Sequence, residues 1–251
     1  MSGRVVLLGH GIGYSASPAM HNAAFASTGL DLVYELRDVP PSGLAAAVAG
    51  LRGELGANVT QPHKVAALGL VDELDADAAR IGALNTIVQR DGRLIGYDTD
   101  LAAIAAELSL LCAEPPGSAV VLGAGGASRA VVAALAGSGA AEVVVVTRAE
   151  WHRLPTLLAG AQLLVNATPI GTGSDESPIG AELLRSDLAV LDLVYRPSPT
   201  RLVLDARSVG APAADGSGVL LRQAALSFTL WTGMPAPTQQ MRAALVAELA
   251  Q

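Results

Sequence analysis

Residues 119–146 constrain the fold more than any other stretch, because they predict a strand, a tight turn, a helix and a second strand in succession. Residues 119–122 and 142–146 are almost wholly apolar, which is typical of strands buried on both faces of a parallel sheet. Such a glycine-rich turn presents backbone N–H groups and the positive end of a helix to a pyrophosphate. The stretch therefore predicts a parallel α/β sheet with a turn that binds a dinucleotide, and an ordinary strand–helix turn is the alternative. The turn consists of Gly123, Ala124, Gly125, Gly126 and Ala127.

The end of the second strand indicates which dinucleotide fits. An acidic residue at this point would bind the ribose hydroxyls of NAD, but the chain has Thr147 followed by Arg148. A guanidinium matches a 2′-phosphate through paired, charge-assisted hydrogen bonds. We therefore predict NADP as the cofactor; the alternative is that Arg148 is a surface residue at a strand end.

A lysine at position 64 is the leading candidate for acid/base chemistry. Residues 55–59 predict a strand, and Thr60 is placed to cap a helix whose first turn holds Pro62 and Lys64. The positive end of that helix disfavours an extra cation, which makes Lys64 a candidate acid/base group. The alternative is an ordinary surface lysine on a strand–helix turn.

Charge and composition exclude several classes of protein. A net charge of −7 without basic blocks argues against nucleic acid or an anionic membrane as a partner. Residues 154–174 form the longest uncharged run, but their prolines and amides oppose a membrane-spanning helix, and the N-terminus has too short an apolar core for a signal peptide. Cys112 is the single cysteine, which fits a cytoplasmic location. The four histidines are scattered, so we predict no metal site.

The rest of the chain alternates predicted strands and helices. Ser17 is expected to cap a helix that ends at Gly29, and Asp91-Gly92 is a hairpin signal between strands at 83–89 and 94–98. Further strands are predicted at 4–8, 32–37, 162–165, 188–193 and 211–214. Further helices are predicted at 42–51, 72–80, 100–110, 151–159, 180–185, 199–208, 219–232 and 237–250, with a linker at 114–118.

An ordered series of short motifs resembles the shikimate dehydrogenase family. The series covers residues 9–233, and its order makes it specific although each motif alone is weak. It consists of Ser15-Ala16-Ser17-Pro18 with His21-Asn22, Asn58-Val59-Thr60 with Pro62 and Lys64, Gly82-Ala83-Leu84-Asn85-Thr86, Gly96 with Thr99-Asp100, residues 123–127, Asn166-Ala167-Thr168-Pro169, Asp192 with Tyr195 and Pro197, and Gln223-Ala224 with Trp231-Thr232-Gly233.

The resemblance implies an α/β protein of two domains. Residues 1–101 and 218–251 would form an N-terminal α/β domain that binds the substrate, and residues 102–217 a Rossmann domain that binds NADP. It further implies an NADP-dependent oxidoreductase that interconverts shikimate and 3-dehydroshikimate by hydride transfer. The resemblance also implies a small-molecule substrate and a place in aromatic amino acid biosynthesis. The protein is expected to be a monomer or a homodimer.

The resemblance also implies roles for individual residues. Lys64 would exchange a proton with the reacting hydroxyl, and Asp100 would orient both the lysine and that hydroxyl. Ser17 as a helix cap, Asp100 as a first-turn acid and Asn85 in a turn are the alternatives. Substrate-binding residues would be Ser15, Ser17, Asn58, Thr60, Asn85, Tyr195 and Gln223. Cofactor-binding residues would be Gly123, Ala124, Gly125, Gly126, Ala127, Thr147, Arg148, Thr168, Leu193 and Gly216.

The chain departs from the family pattern at a few positions. Gly11 and Tyr14 stand where proline and histidine are usual, so the first loop is expected to differ in shape. Asp98 replaces an asparagine and would act on Lys64 or Asp100 if it faces the site. The usual Asn-Arg-Thr is Thr147-Arg148-Ala149, with His152 or Arg153 as the candidate second cation for a phosphate.

Three other functions remain open from the sequence. A paralogue could act on quinate or on an amino analogue of shikimate, although the retained Ser15 and Ser17 favour shikimate itself. A non-catalytic module could bind NADP and shikimate without turnover, although the presence of both Lys64 and Asp100 argues against it. A dehydrogenase of another substrate class could use the same two-domain plan, because fold alone does not fix the substrate.

Overall fold

The computed structural model describes residues 2–250 and divides the chain into two compact units. Of the described residues, 2–100 and 221–250 form the first unit, and 101–220 form the second. The division falls one residue before the first predicted domain boundary and three residues after the second. The chain passes between the units in two helices, α4 (Asp100–Leu111) and α8 (Ser217–Thr232).

A mixed sheet of six strands organises the described part of the first unit, in the order β2-β1-β3-β5-β6-β4. β1 is parallel to β2 and β3, whereas β5 is antiparallel to both β3 and β6. The hairpin between β5 and β6 turns at Asp91 and Gly92, whose φ angles are 50° and 79°. This confirms the hairpin predicted from the Asp-Gly pair. The strands are β1 (Ser2–Gly9), β2 (Asp31–Asp38), β3 (Gly56–Val59), β4 (Glu73–Leu74), β5 (Thr86–Arg90) and β6 (Arg93–Tyr97).

Short helices and aromatic residues complete the first unit. Its helices are α1 (Ser17–Ser27), α2 (Leu44–Ala49), α3 (Ala76–Ile81) and α9 (Thr238–Leu249), together with residues 221–232 of α8. α1 packs against α9. His21 lies fully buried between Tyr34, at 4.4 Å between ring centroids, and Trp231, at 5.2 Å. These buried rings add to an otherwise mostly aliphatic core.

A parallel sheet of five strands forms the described centre of the second unit, in the order β11-β10-β9-β7-β8. All of its strand pairs are parallel. The strands are β7 (Ser118–Leu122), β8 (Glu142–Val146), β9 (Leu163–Asn166), β10 (Ala189–Asp192) and β11 (Ala213–Ala214). The helices are α5 (Gly126–Ser138), α6 (Leu154–Gly160) and α7 (Arg201–Ser208), with most of α4 and the start of α8.

Both faces of this parallel sheet are covered. Ala119 and Val121 of β7 face one apolar cluster with residues of α4 and α5, whereas Val120 and Leu122 face another with residues of α6 and α7. Alternate side chains of a strand point to opposite faces, so a sheet covered on both sides needs strands that are apolar throughout. The fold class predicted from residues 119–146 is therefore confirmed.

Several local predictions are wrong. Ser17 is the first residue of α1 and does not cap it; Ala16 occupies the cap position without a side-chain hydrogen bond. Residues 60–65 form turns instead of the start of an α-helix, and a 3₁₀ segment follows at Ala66–Leu70. The helix predicted at 180–185 is a 3₁₀ turn at Ala181–Leu183, and the one at 72–80 is α3 preceded by β4. The helix predicted at 42–51 is α2 flanked by 3₁₀ turns.

The loss of the helix at Lys64 has a tertiary cause. The carbonyl of Lys64 accepts a hydrogen bond from the Leu84 amide at 3.0 Å, and the Thr60 amide donates to the Leu8 carbonyl at 2.8 Å. The His63 ring donates from Nε2 to the Val39 carbonyl at 2.7 Å. The Lys64 carbonyl is a group that an α-helix would have paired internally, and the segment before β5 bonds it instead. Among the described residues, no helix is both long and apolar enough to cross a membrane.

Candidate active site

Four chain segments meet at one edge of the six-stranded sheet. β1 and β3 are parallel, so both end at this edge, and the loops after them carry Ser15 and Lys64. β5 is antiparallel to β3, so it begins here, directly after Asn85. β6 runs antiparallel to β5 and ends here, directly before Asp98 and Asp100. Sheet topology thus brings together residues that lie up to 85 positions apart in the chain, from Ser15 to Asp100.

Lys64 and Asp100 form an ion pair at this edge. The Lys64 ammonium donates to Asp100 Oδ2, and the two side chains are 16% and 10% exposed. The other carboxylate oxygen, Oδ1, accepts from Asn85 Nδ2 at 2.8 Å. Asn85 itself is fixed, because its Oδ1 accepts from the Thr99 amide at 2.8 Å. The three side chains form an oriented row, Asn85–Asp100–Lys64, with the lysine as its proton-carrying end.

The pKa of Lys64 is raised above its ordinary value. Burial alone would lower this pKa, but the charge of Asp100 and the hydrogen bond to it outweigh burial, with help from Asp98 and Tyr14. The predicted destabilisation of the cation by a helix N-terminus is therefore wrong, since no helix begins at Lys64. In the free protein the lysine is an ammonium at neutral pH, ready to donate a proton.

Two of the departures from the family pattern lie close to Lys64. Asp98 is buried, and its charge contributes to the raised pKa of Lys64, so it acts on the site. The Tyr14 hydroxyl accepts a hydrogen bond from Gln61 Nε2 at 3.3 Å, and burial is the main cause of its own raised pKa. Both residues therefore belong to the electrostatic surroundings of the lysine.

The first loop is shaped by Gly11. Its φ of +68° is closed to proline, whose ring fixes φ near −65°. Its amide donates to Asp38 Oδ2 at 3.0 Å, a bond that proline could not make. Beyond it, Ser15 Oγ accepts from the Ser17 amide at 3.3 Å, which leaves the Ser15 hydroxyl proton available as a donor. This geometry supports a different loop shape, as expected from the glycine.

Asn58 is the centre of a buried polar network. Its Nδ2 donates to Thr86 Oγ1 at 3.0 Å and to Ser227 Oγ at 3.0 Å, while its Oδ1 accepts from the Tyr34 hydroxyl at 2.8 Å. These bonds occupy both ends of the Asn58 amide. Sequence reasoning missed Tyr34 and Ser227 as parts of the site; Ser227 lies four residues after Gln223 on α8, one helical turn along the same face, but that spacing alone does not single out a serine.

The remaining predicted substrate residues fall in different places. Gln223 lies on α8 and is buried, and Thr60 directly follows β3 at the edge that carries Lys64. Tyr195 belongs to the second unit, in the loop after β10, and is half-buried. A substrate-binding role for each of them stays a prediction.

The glycine turn of the second unit fits a dinucleotide. Gly123 has a φ of +101°, and a Cβ there would lie 3.0 Å from the Ala167 carbonyl oxygen and 3.2 Å from Thr168 Cγ2. Gly125 caps α5 without any side-chain hydrogen bond, and a Cβ at Gly125 would meet open space. The first amides of α5 therefore face an open region next to a positive helix end, as a pyrophosphate requires.

The other predicted cofactor residues follow the ends of neighbouring strands. Thr168 comes after β9, and its amide and hydroxyl both bond to Asn166 Oδ1. Leu193 comes after β10, and a Cβ on Gly216 would lie 2.2 Å from the Leu193 carbonyl oxygen. Ligands of open parallel sheets bind at the carboxyl ends of the strands, which supports a role for these residues.

The strand end at Thr147 and Arg148 is exposed. A 3₁₀ segment, Arg148–Arg153, begins there and is capped by Thr147 and Glu150. The Arg148 guanidinium lies 5.6 Å from the centroid of the Trp151 ring, a cation–π distance. This contact holds the guanidinium next to the end of β8; a role in cofactor binding stays a prediction. Among the described residues, no cluster of three or more metal-ligating side chains occurs.

The parallel sheet and its glycine turn define an α/β protein of the Rossmann dinucleotide-binding class. Family models agree: residues 7–87 match the shikimate dehydrogenase substrate binding domain, and residues 216–246 match the shikimate 5′-dehydrogenase C-terminal domain. The chain belongs to the shikimate dehydrogenase family.

Individual relatives support this assignment. Shikimate dehydrogenase (NADP⁺) of Methanopyrus kandleri is 42% identical and covers 98% of this chain and 95% of its own. Shikimate 5-dehydrogenase of Thermus thermophilus, solved with NADP(H) and shikimate, is 38% identical with a TM-score of 0.88, covering 99% of this chain and 100% of its own. Quinate dehydrogenase of Corynebacterium glutamicum, solved with NAD, is 29% identical with a TM-score of 0.84, and the match covers 98% of this chain and 99% of the quinate enzyme.

Proposed function

We propose that this protein is an NADP-dependent oxidoreductase that interconverts shikimate and 3-dehydroshikimate. The observation that carries the proposal is the Asn85–Asp100–Lys64 row at the sheet edge of a family member whose relatives are named for this reaction. The fold and the relatives support the reaction, and the geometry of the row supports the roles that follow.

Lys64 moves the proton. When 3-dehydroshikimate is reduced, the ammonium donates a proton to the carbonyl oxygen as that oxygen gains charge. When shikimate is oxidised, the neutral amine takes the proton of the hydroxyl that becomes the ketone. Because the pKa of Lys64 is raised, the reductive direction finds the lysine already protonated at neutral pH, whereas oxidation improves as the pH rises.

Asp100 positions Lys64, and Asn85 positions Asp100. A carboxylate that accepts from Asn85 on one oxygen and from Lys64 on the other cannot rotate without losing a bond. This fixes the ammonium direction before the substrate binds, and such pre-organisation is worth more than a mobile charge. The Ser15 hydroxyl, with its proton free to donate, is suited to the substrate carboxylate.

NADP supplies the hydride chemistry when it is bound. Gly125 and the first turn of α5 would hold its pyrophosphate, and Arg148 would bind its 2′-phosphate. A cytoplasmic location and a monomeric or homodimeric state remain predictions from the sequence.

A quinate dehydrogenase is the second candidate. The solved quinate enzyme has the same fold, and Tyr14 and Asp98 alter the surroundings of Lys64 relative to the family pattern. The retained Ser15 and Ser17 favour shikimate, because a substrate with an additional substituent would require other donors at that point.

One experiment separates these functions. Initial rates of cofactor reduction are measured with shikimate and with quinate, each paired with NADP and with NAD. We expect turnover with shikimate and NADP to exceed every other pairing. Preferred turnover of quinate would assign the second candidate. Binding of shikimate and NADP, measured by calorimetry, without turnover in any pairing would contradict an enzymatic role altogether.

A further inference from the structure

The segment that follows β8 carries two guanidinium groups, one imidazole and one carboxylate within seven residues. We call Thr147–Arg153 the clamp segment; its charged residues are Arg148, Glu150 and Arg153, and His152 lies between the last two. In a Rossmann unit this position reads the ribose 2′-substituent of the dinucleotide. The hydrogen-bond and stacking partners of Arg148 and Arg153 therefore decide which guanidinium is available to a phosphate.

Glu150 is fixed by the strand end. Its Oε2 accepts from the Thr147 hydroxyl at 2.8 Å and from the Thr147 amide at 3.2 Å. Hydrogen bonds from Thr147 are the main reason why the pKa of Glu150 is lowered, with Arg153 contributing, so the side chain is a carboxylate at neutral pH. The two bonds hold its second oxygen, Oε1, in a defined position.

That second oxygen binds Arg153. Arg153 Nη1 donates to Glu150 Oε1 at 2.9 Å, with the two side chains 47% and 38% exposed. An exposed pair is weak when both partners are mobile, but here Glu150 is already immobilised by Thr147. Arg148 has a different partner, since its guanidinium stacks over Trp151 at 5.6 Å. Stacking on a ring leaves the N–H edges of a guanidinium free to bind a phosphate.

We propose that Glu150 sets the cofactor selectivity of this protein by sequestering Arg153 and leaving Arg148 as the guanidinium that reads the 2′-phosphate. The inference rests on the proposed function and goes beyond it. The structure thus assigns to Glu150 the role of a specificity-determining residue that weakens the preference for NADP.

Two substitutions test the proposal by calorimetric titration with NADP and NAD. Glu150→Gln keeps the acceptor for Thr147, because glutamine also serves in a capping box, but it releases Arg153. We expect NADP to bind about fivefold tighter or better and NAD to change by less than about twofold. Arg153→Gln alone should change NADP affinity by less than about twofold, because Arg153 is already occupied. The double variant should lose the gain of Glu150→Gln.

Fragments and a matched control sharpen the test. The gain should appear with 2′,5′-ADP and be absent with 5′-AMP, since the two differ by the 2′-phosphate. Asp77→Asn breaks another exposed pair of the same spacing, Asp77–Arg80 on α3 of the first unit, and changes net charge equally. It should leave both affinities unchanged.

Each arm can overturn the proposal separately. An unaltered ratio of NADP to NAD affinity in a folded Glu150→Gln protein contradicts it. A loss of NADP affinity of about fivefold or more in Arg153→Gln also contradicts the proposal, because it would show that Arg153 holds the phosphate despite Glu150. This result can be obtained even if Glu150→Gln fails to fold. A wild-type chain that binds neither dinucleotide would overturn the proposed function as well, and so the two failures are distinct.

Discussion

At the scale of single residues, the carboxylates around Lys64 determine the pH at which the lysine can take a proton. We expect Asp100→Asn to lower the pKa of Lys64, because the charge that offsets burial is removed. The pH dependence of kcat/KM for shikimate oxidation should therefore move to lower pH, while the maximal rate falls because the lysine is less well oriented.

Asp98 provides a graded comparison for this shift. It contributes less than Asp100 to the raised pKa of Lys64, so Asp98→Asn should move the pH profile in the same direction by a smaller amount. The pH dependence of kcat/KM, measured across the alkaline range in the wild type, Asp98→Asn and Asp100→Asn, tests whether the shift is larger for Asp100→Asn than for Asp98→Asn. An unmoved profile in Asp100→Asn would mean that Lys64 does not titrate in the observed step.

Residue-scale geometry also shows where sequence reasoning reaches its limit. Lys64, Asp100 and Asn85 could be identified from motif order alone, and their contacts follow from topology. Ser227 could not be identified in that way, because its bond to Asn58 joins residues 169 positions apart. A serine within an ordinary helical pattern carries little signal until the sheet has placed Asn58 opposite it.

At the scale of elements, two positions of the second unit need glycine for different physical reasons. We expect Gly125→Ala to leave thermal stability unchanged, since its Cβ meets open space, but to weaken NADP binding by about tenfold or more because the methyl group obstructs the pyrophosphate. Gly216→Ala should instead lower the melting temperature, because its Cβ would overlap the Leu193 backbone. Calorimetry and thermal unfolding distinguish the two.

Gly137→Ala is the matched control for this pair. Gly137 is an exposed position of α5 where an added Cβ would meet open space, and alanine favours helix more than glycine does. The substitution should be neutral or slightly stabilising and should leave NADP affinity intact. Equal NADP affinity in Gly125→Ala and the wild type would contradict a pyrophosphate site at the start of α5.

Element prediction succeeded where local chemistry agreed with the fold. The apolar strands β7 and β8 and the Asp91-Gly92 hairpin need no distant partner to be identified. The helix predicted at Lys64 failed because the capping signal of Thr60 is local, whereas the Leu84 amide that binds the Lys64 carbonyl comes from a segment twenty residues away. Tertiary hydrogen bonds override a local signal when they offer the same backbone groups a partner.

At the scale of the whole molecule, the two units should respond in opposite directions to acid. Burial lowers the pKa of His21 in the first unit from 6.5 to about 3, so the unfolded state gains protons below pH 6.5 and this unit loses stability, roughly 2 kcal/mol at pH 5 relative to pH 8. Burial raises the pKa of Asp192 in the second unit from 3.8 to about 6, so the folded state of this unit takes up the proton first and the unit is stabilised by roughly 1 kcal/mol over the same range.

The two tryptophans report on the units separately. Trp151→Phe leaves Trp231 in the first unit, and Trp231→Phe leaves Trp151 in the second. Unfolding followed by fluorescence at the same two pH values should show that acid lowers the midpoint for Trp231 and raises the one for Trp151. Midpoints that shift in the same direction for both tryptophans would contradict the assignment of His21 and Asp192 as the groups responsible. So would an acid effect on the Trp231 midpoint that persists after His21→Phe.

The proposed mechanism depends on Lys64 moving the proton in the oxidation of shikimate with NADP, and the turnover rate of Lys64→Ala tests that role most directly. Loss of an acid/base group costs about 10²- to 10⁴-fold, so we expect kcat to fall by that factor while shikimate and NADP still bind in calorimetry. Thermal unfolding shows whether the fold persists without the partner of Asp100. A folded Lys64→Ala protein with unchanged kcat would contradict the assignment of Lys64 as the proton carrier.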